Sequence, residues 1–202
     1  MSKGLGRISV SRKSGKERFY DGETSTDFTL LDFWQWSSSD LVDNTARGVL
    51  AEYLVAKALG ISTKGIREGW LAWDLQTGDG IRIEVKSAAF IQSWHQDKLS
   101  EIQFVVPPRR GFNPDTNKME TVPRRHAHVY VFALLAHTDK PTVDPRDLSQ
   151  WKFYVLPTQV LNERKRSQHS ITLGSLEALA GPSTDFWHLS DAVKNVCAAG
   201  SR

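Results

Sequence analysis

Hydrophobic and polar positions alternate along two short segments that flank a glycine-rich connection. Apolar residues occupy every second position in residues 71–75 and again in residues 81–85. A period of two is typical of strands with one buried face. The connection between them, residues 76–80, contains two glycines and favours a turn. The pattern therefore predicts an antiparallel hairpin in which Leu75 lies opposite Ile81.

This register gathers polar residues on one face of the hairpin. Trp73 and Leu75 share the apolar face, and a shift by one residue would scatter the apolar side chains over both faces. Asp74 and Glu84 then lie diagonally across the two strands, roughly 7–8 Å apart at the backbone. Lys86 follows Glu84 by two residues and shares its face. Two carboxylates and an amine are thus expected to lie close together.

A helix is predicted before the hairpin, over residues 43–59. Asp43 supplies an N-cap and Gly60 supplies a stop. Apolar residues lie nearly all round this helix, so most of it is expected to be buried. Glu52 lies in its middle without a basic residue three or four positions away. Either it reaches water or an arginine elsewhere in the chain, or it joins the carboxylates of the hairpin.

The remaining pattern predicts an α/β fold with a mixed central β-sheet flanked by helices, its first strands antiparallel. Residues 1–24 are expected to form a basic, flexible tail, and residues 25–202 a single domain with a core over about 43–160. Further strands are predicted at residues 101–106, 129–135 and 151–156, helices at 170–179 and 189–199, and a long loop at 109–125.

Composition narrows the class of protein. The 202 residues include 40% hydrophobic and 24% charged side chains, as expected for a globular domain. Neither a secretory signal nor an apolar run of membrane-spanning length is present, so no membrane association is expected. The single cysteine, Cys197, excludes an internal disulfide framework and favours a cytoplasmic location. The net charge of +3 is compatible with a polyanionic partner.

The hairpin resembles the catalytic hairpin of the restriction-endonuclease-like nucleases, the PD-(D/E)xK superfamily. The resemblance rests on Asp74, the turn, and an apolar strand that carries Glu84-x-Lys86. Trp73 stands where that superfamily often has proline. A helix acid such as Glu52 often joins the site in similar nucleases. The resemblance implies a restriction-endonuclease-like core and a DNA endonuclease that depends on Mg²⁺ or Mn²⁺.

The resemblance also implies roles for the individual residues. Asp74 and Glu84 are expected to be metal ligands, with the Val85 carbonyl as a third ligand and Glu52 as an additional or outer one. Hard oxygen ligands suit Mg²⁺ and Mn²⁺. Lys86 is expected to position the attacking water, assist its deprotonation or stabilise the transition state.

Basic residues outside the hairpin suggest where DNA would bind. Residues 109–125 carry five basic side chains against two acidic ones. Arginine binds phosphate in a two-pronged way, although a solvated surface loop would have a similar composition. The residues expected to contact nucleic acid are Arg109, Arg110, Arg124, Arg125, Arg164 and Lys165.

Two other functions fit the same residues. One is a nucleic-acid-binding module of this fold without catalysis, and the other is a nuclease that is specific for RNA or for a nucleic-acid structure. The sequence also leaves open whether the chain acts as a homodimer.

Overall fold

The computed structural model of the chain describes residues 4–199. The outermost residues of the predicted tail and domain, 1–3 and 200–202, lie outside this range. In chain order the elements are β1 (Arg18–Asp21), β2 (Thr24–Thr29), α1 (Leu30–Ser38), α2 (Asn44–Ala58), β3 (Leu75–Gln76), β4 (Arg82–Ala89), β5 (Gln103–Val105), β6 (Phe112–Asn113), β7 (Lys118–Met119), β8 (Val129–Leu135), β9 (Trp151–Pro157), α3 (Thr158–Glu163), β10 (Ser170–Thr172), α4 (Leu173–Ala180) and α5 (Leu189–Ala199). Short 3₁₀ turns occur at Lys140–Thr142 and Leu148–Gln150.

A four-stranded sheet forms the centre of the molecule, in the order β3-β4-β8-β9. Strands β4 and β8 are parallel, whereas β3 and β9 pair antiparallel to their neighbours. Helices α2 and α5 contact strands of this sheet, as do α3 and α4. The prediction of a mixed sheet flanked by helices is confirmed.

The central strand β8 is buried along its whole length, as its apolar sequence requires. Side chains that alternate along β4 and β8 form two hydrophobic clusters, one on each face of the sheet. The first cluster contains Val85 and Val131 and packs with α2 and α5. The second contains Phe132, together with Phe104 from β5. We call these the α2 cluster and the Phe132 cluster.

Helix α2 begins and ends where its sequence predicts. The Asp43 side chain accepts hydrogen bonds from the N–H groups of Thr45 and Ala46, at 2.8 and 3.2 Å. This satisfies two N–H groups that the first turn leaves free. Gly60 follows the helix with a φ of 68°, a conformation that glycine adopts without strain. Glu52 therefore has a fixed position beside the sheet.

The predicted hairpin is present, but its register differs by two residues. Leu75 pairs with Ile83 rather than with Ile81. The turn is tighter than predicted because the Thr77 N–H donates to the Ile81 carbonyl at 3.0 Å. Gly80 makes this possible with a φ of 89°, a value that side-chain-bearing residues rarely adopt.

A local irregularity at Asp74 overturns a second part of the hairpin prediction. The Asp74 N–H donates to the carbonyl of Ile83, the residue that already pairs with Leu75. Two consecutive residues thus face one partner, the arrangement of a β-bulge. As a result, Trp73 packs against the Phe132 cluster and Leu75 against the α2 cluster. The expectation that Trp73 and Leu75 share a face was wrong.

Two other segments differ from their predictions. The strand predicted at 101–106 is shorter, and it pairs with β10 in a separate two-stranded sheet. Residues 170–172, predicted as the start of a helix, form β10 because Thr172 caps the helix instead, accepting a hydrogen bond from the Ser175 N–H. The Phe104 side chain of β5 is almost completely buried, which shows that this small sheet packs against the core.

Residues predicted without regular structure also form strands. Within 109–125, β6 pairs with β7, and Arg109 forms a bridge with Arg124. Strand β1 lies inside the predicted tail and pairs with β2. Within residues 4–199, every helix is too short or too polar to cross a membrane.

Candidate active site

Strand β4 presents Glu84 and Lys86 on one face of the sheet. They are two residues apart in a strand, so their side chains point the same way. The Lys86 ammonium donates to Glu84 Oε1 at 2.5 Å. The Lys86 side chain is 20% exposed and the Glu84 side chain is 15% exposed. The pair is therefore shielded from bulk water and yet accessible from one side.

The Asp74 side chain lies against the same strand. Its Oδ2 atom accepts a hydrogen bond from the Val85 N–H at 2.7 Å. Burial is the main cause that raises the pKa of Asp74, to about 7, and the charge of Glu84 is the second. The bond from Val85 opposes this shift because it favours the ionised carboxylate. Asp74, which directly precedes β3, and Glu84, on β4, therefore lie close enough for their charges to interact.

Glu52 reaches the same region from helix α2, and its negative charge also raises the pKa of Asp74. Arg67 donates two hydrogen bonds to the Glu52 carboxylate, from Nε to Oε2 at 2.5 Å and from Nη2 to Oε1 at 2.6 Å. The sequence had left an arginine partner open as one alternative for Glu52. Arg67 itself was missed, because it lies between α2 and β3, where no periodic pattern points to a contact.

The donor chemistry of this region suits a small divalent cation. No group of three Asp, Glu, His or Cys side chains within residues 4–199 is arranged to hold a metal ion. Mg²⁺, however, usually binds one or two carboxylates and retains several waters. Asp74 and Glu84 provide two such oxygen donors, and burial, followed by the charge of Glu84, raises the pKa of Asp74. Glu52 could join them only by leaving Arg67.

Two cavities adjoin the site. One, of about 340 Å³, is lined by Glu52, Arg67 and Asp74 among others. The other, of about 500 Å³, is lined by Trp73 and Arg82, whose guanidinium lies 4.9 Å from the centre of the Trp73 ring. Both are wide enough to admit groups of a substrate.

The basic residues expected to bind nucleic acid are not all in one place. Arg124 lines the larger cavity and is held by Glu120 at 2.8 Å. Arg164 and Lys165 line a separate surface depression next to α4. Arg109 and Arg110 are exposed. The predicted contacts thus form two groups, and their role in binding stays a prediction.

Arg125 has a structural environment that the sequence did not indicate. Its guanidinium donates to the main-chain carbonyls of Val106 and Gln168 and to the side chain of Asn162, at distances between 2.7 and 3.1 Å. These bonds join the segment before β8 to the one before β10. Main-chain carbonyls that lose their donors in the interior are costly.

Replacing Arg125 with alanine is therefore expected to lower the free energy of unfolding by about 2–4 kcal/mol. Arg110→Ala is the matched control, because Arg110 is exposed, and it should change stability by less than about 0.5 kcal/mol. Urea denaturation followed by tryptophan fluorescence measures both. Equal midpoints for the two variants would contradict the structural role of Arg125.

Comparison with known proteins identifies the family. The model of the bacteriophage T4 endonuclease IV family matches residues 3–174 of the 202. The chain belongs to this family. The family membership supports an endonuclease that acts on DNA. The matched range contains Glu52, Asp74, Glu84 and Lys86, whereas α5 lies beyond it. No match was found among curated proteins.

Proposed function

We propose that this endonuclease hydrolyses phosphodiester bonds of DNA at a Mg²⁺- or Mn²⁺-dependent site of the PD-(D/E)xK type. Two observations support the proposal: Lys86 donates a hydrogen bond to Glu84, and Glu84 is close enough to Asp74 for its charge to raise the pKa of Asp74. Family membership supplies the reaction class, and these three side chains supply the chemistry.

In this proposal Asp74 and Glu84 hold the cation, with the Val85 carbonyl as a third donor and Glu52 as an additional or outer one. A bound Mg²⁺ supplies positive charge that offsets the charge of the phosphodiester and lowers the pKa of an attacking water. The hydrogen bond from the Val85 N–H fixes the orientation of Asp74, so one of its oxygens is held and the other can face the cation.

Lys86 is proposed to act through its charge. Its ammonium donates a hydrogen bond to Glu84, which fixes its position beside the proposed cation site. Such a group can orient a water molecule and stabilise the negative charge that develops on the phosphate oxygens. The general-base role, the other role that the sequence suggested, requires that this bond to Glu84 be broken first.

The basic residues are proposed to bind the DNA backbone. Arg124 lines the larger cavity together with Trp73 and Arg82 of the hairpin, and Arg109, which Arg110 follows, forms a bridge with Arg124. Each phosphate contact that is lost should weaken binding uniformly and lower the dependence of affinity on salt. Arg164 and Lys165 would contact a more distant part of the substrate.

The direct test is a cleavage assay on supercoiled plasmid DNA with Mg²⁺, with Mn²⁺, and with EDTA. Cleavage is expected with either ion, to be abolished by EDTA, and to fall at least about a hundredfold in Glu84→Gln. Glu101→Gln is the matched control, since the Glu101 side chain is 89% exposed. Cleavage that persists in EDTA would contradict the metal dependence.

An assay with RNA and with branched DNA, under the same conditions, separates the alternatives. Faster cleavage of RNA or of branched substrates would favour a nuclease of that specificity. DNA binding on a gel without cleavage under any of these conditions would favour the non-catalytic module.

A further inference from the structure

The Arg67–Glu52 pair has an unusual position at the edge of the site. Its two side chains differ in exposure: that of Glu52 is 12% exposed, and that of Arg67 is 48% exposed. The guanidinium therefore lies on the solvent side of the carboxylate, in the cavity that both share with Asp74. The hydrogen bond to Glu52 raises the pKa of Arg67, and so do the charges of Glu52 and Asp74.

The two partners also differ in how firmly they are held. Glu52 belongs to α2, whose neighbours Ala51 and Val55 are completely buried. Arg67 lies in residues 59–74, a connection with neither helix nor strand that includes Gly65 and Gly69. If the pair separates, the backbone of Arg67 is freer to move than that of Glu52, whose side chain can only rotate.

The balance of charge gives a reason for it to separate. Three carboxylates, those of Glu52, Asp74 and Glu84, face two cationic side chains, Lys86 and Arg67. A divalent cation added to this set makes the region positive, and Glu52 is then attracted to the metal as well as to Arg67. A phosphodiester that arrives with its own negative charge offers the guanidinium a second planar, two-oxygen acceptor.

Building on the proposed function, we propose that Arg67 is a substrate-binding residue of this site. Without the metal, its guanidinium binds the carboxylate of Glu52. Once Glu52 binds the divalent cation, the guanidinium is released and binds a phosphate group of the DNA. Glu52 thus exchanges one cation for another, and the site acquires its phosphate-binding arginine only when the metal is present.

The proposal predicts that two substitutions have opposite effects on two affinities. Arg67→Ala frees Glu52, so Mn²⁺ should bind about fivefold more tightly without DNA. The same variant loses a phosphate contact, so DNA should bind about tenfold more weakly in the presence of Mn²⁺. Glu52→Gln frees Arg67, so DNA should bind a few-fold more tightly in EDTA.

Mn²⁺ affinity is measured by isothermal titration calorimetry on the full chain without DNA. DNA affinity is measured by fluorescence anisotropy, with every variant made in a Lys86→Ala background so that Mn²⁺ does not lead to cleavage. The matched control is Arg146→Ala. Arg146 also holds a carboxylate with two bonds, to Asp144 at 2.9 and 2.8 Å, but it lies in the connection between β8 and β9. This control should change neither affinity.

The outcomes distinguish this inference from the proposed function. If Arg67→Ala leaves both affinities within twofold of the parent, the exchange is overturned, even when Glu84→Gln abolishes cleavage. A purely structural role for the pair would lower the melting temperature of Arg67→Ala and weaken Mn²⁺ binding, the opposite of the expected sign. If Glu84→Gln cleaves normally, the metal site itself is wrong.

Discussion

Replacing Lys86 with methionine is expected to reduce the rate of DNA cleavage by about 10³-fold. The substitution keeps most of the side-chain volume but removes the ammonium, which is bonded to Glu84 and faces the proposed reaction centre. Losing a positioned charge or proton donor typically costs two to four orders of magnitude in rate, roughly 3–5 kcal/mol of transition-state stabilisation.

Single-turnover cleavage with saturating enzyme measures this rate without the contribution of product release. Lys152→Met is the matched control, because Lys152 is an exposed lysine on β9 of the same sheet, and it should cleave at the parent rate. DNA affinity of Lys86→Met should change much less than the rate. A rate within tenfold of the parent would exclude Lys86 from the chemical step.

Replacing Asp74 with asparagine is expected to abolish cleavage and, at the same time, to stabilise the metal-free protein at pH 8. Asp74 has an ordinary pKa of 3.8, which the fold raises to about 7, mainly through burial and the charge of Glu84. Between these two pH values the unfolded chain releases a proton that the folded chain retains. The stability of the parent therefore falls as the pH rises from about 4 to about 7.

Asparagine removes this loss, because it cannot ionise and its oxygen can still accept from Val85. At pH 8 the variant is expected to gain up to about 4 kcal/mol in the free energy of unfolding, and at pH 4 the difference should vanish. Urea denaturation in EDTA at both pH values measures this. Asp97→Asn, at a side chain that is 97% exposed, is the control. A variant that is less stable than the parent at pH 8 would contradict the buried charge.

Local signals in the sequence predicted the elements that such signals determine. Helix α2 has a capping aspartate at one end and a glycine at the other, and β8 is an uninterrupted apolar run, so both were predicted within a residue or so. Glu84 and Lys86 share a face because any strand places alternate residues together. The fold class followed from the order of these elements.

Features that depend on contacts between distant segments were not predictable in this way. The bulge at Asp74 follows from a hydrogen bond to Ile83 that no period-two pattern reveals. The pairing of β5 with β10 joins residues more than sixty positions apart. Arg67 and Arg125 look like ordinary basic residues of polar segments, and only the tertiary structure shows what they hold.

The shortness of β3 has a consequence for access to the site. Its pairing with β4 covers only Ile83 and Arg82, and beyond that point the carboxylate of Asp74 takes the acceptor position at the Val85 N–H that a neighbouring backbone would otherwise fill. A longer β3 would continue to pair with β4 past Glu84 and Lys86, and its side chains would restrict access to these two residues. Because a side chain ends the ladder, this edge of β4 is not covered by another strand beyond Arg82 and Ile83. A polymer such as circular DNA, which has no free ends, can therefore approach the edge from the side.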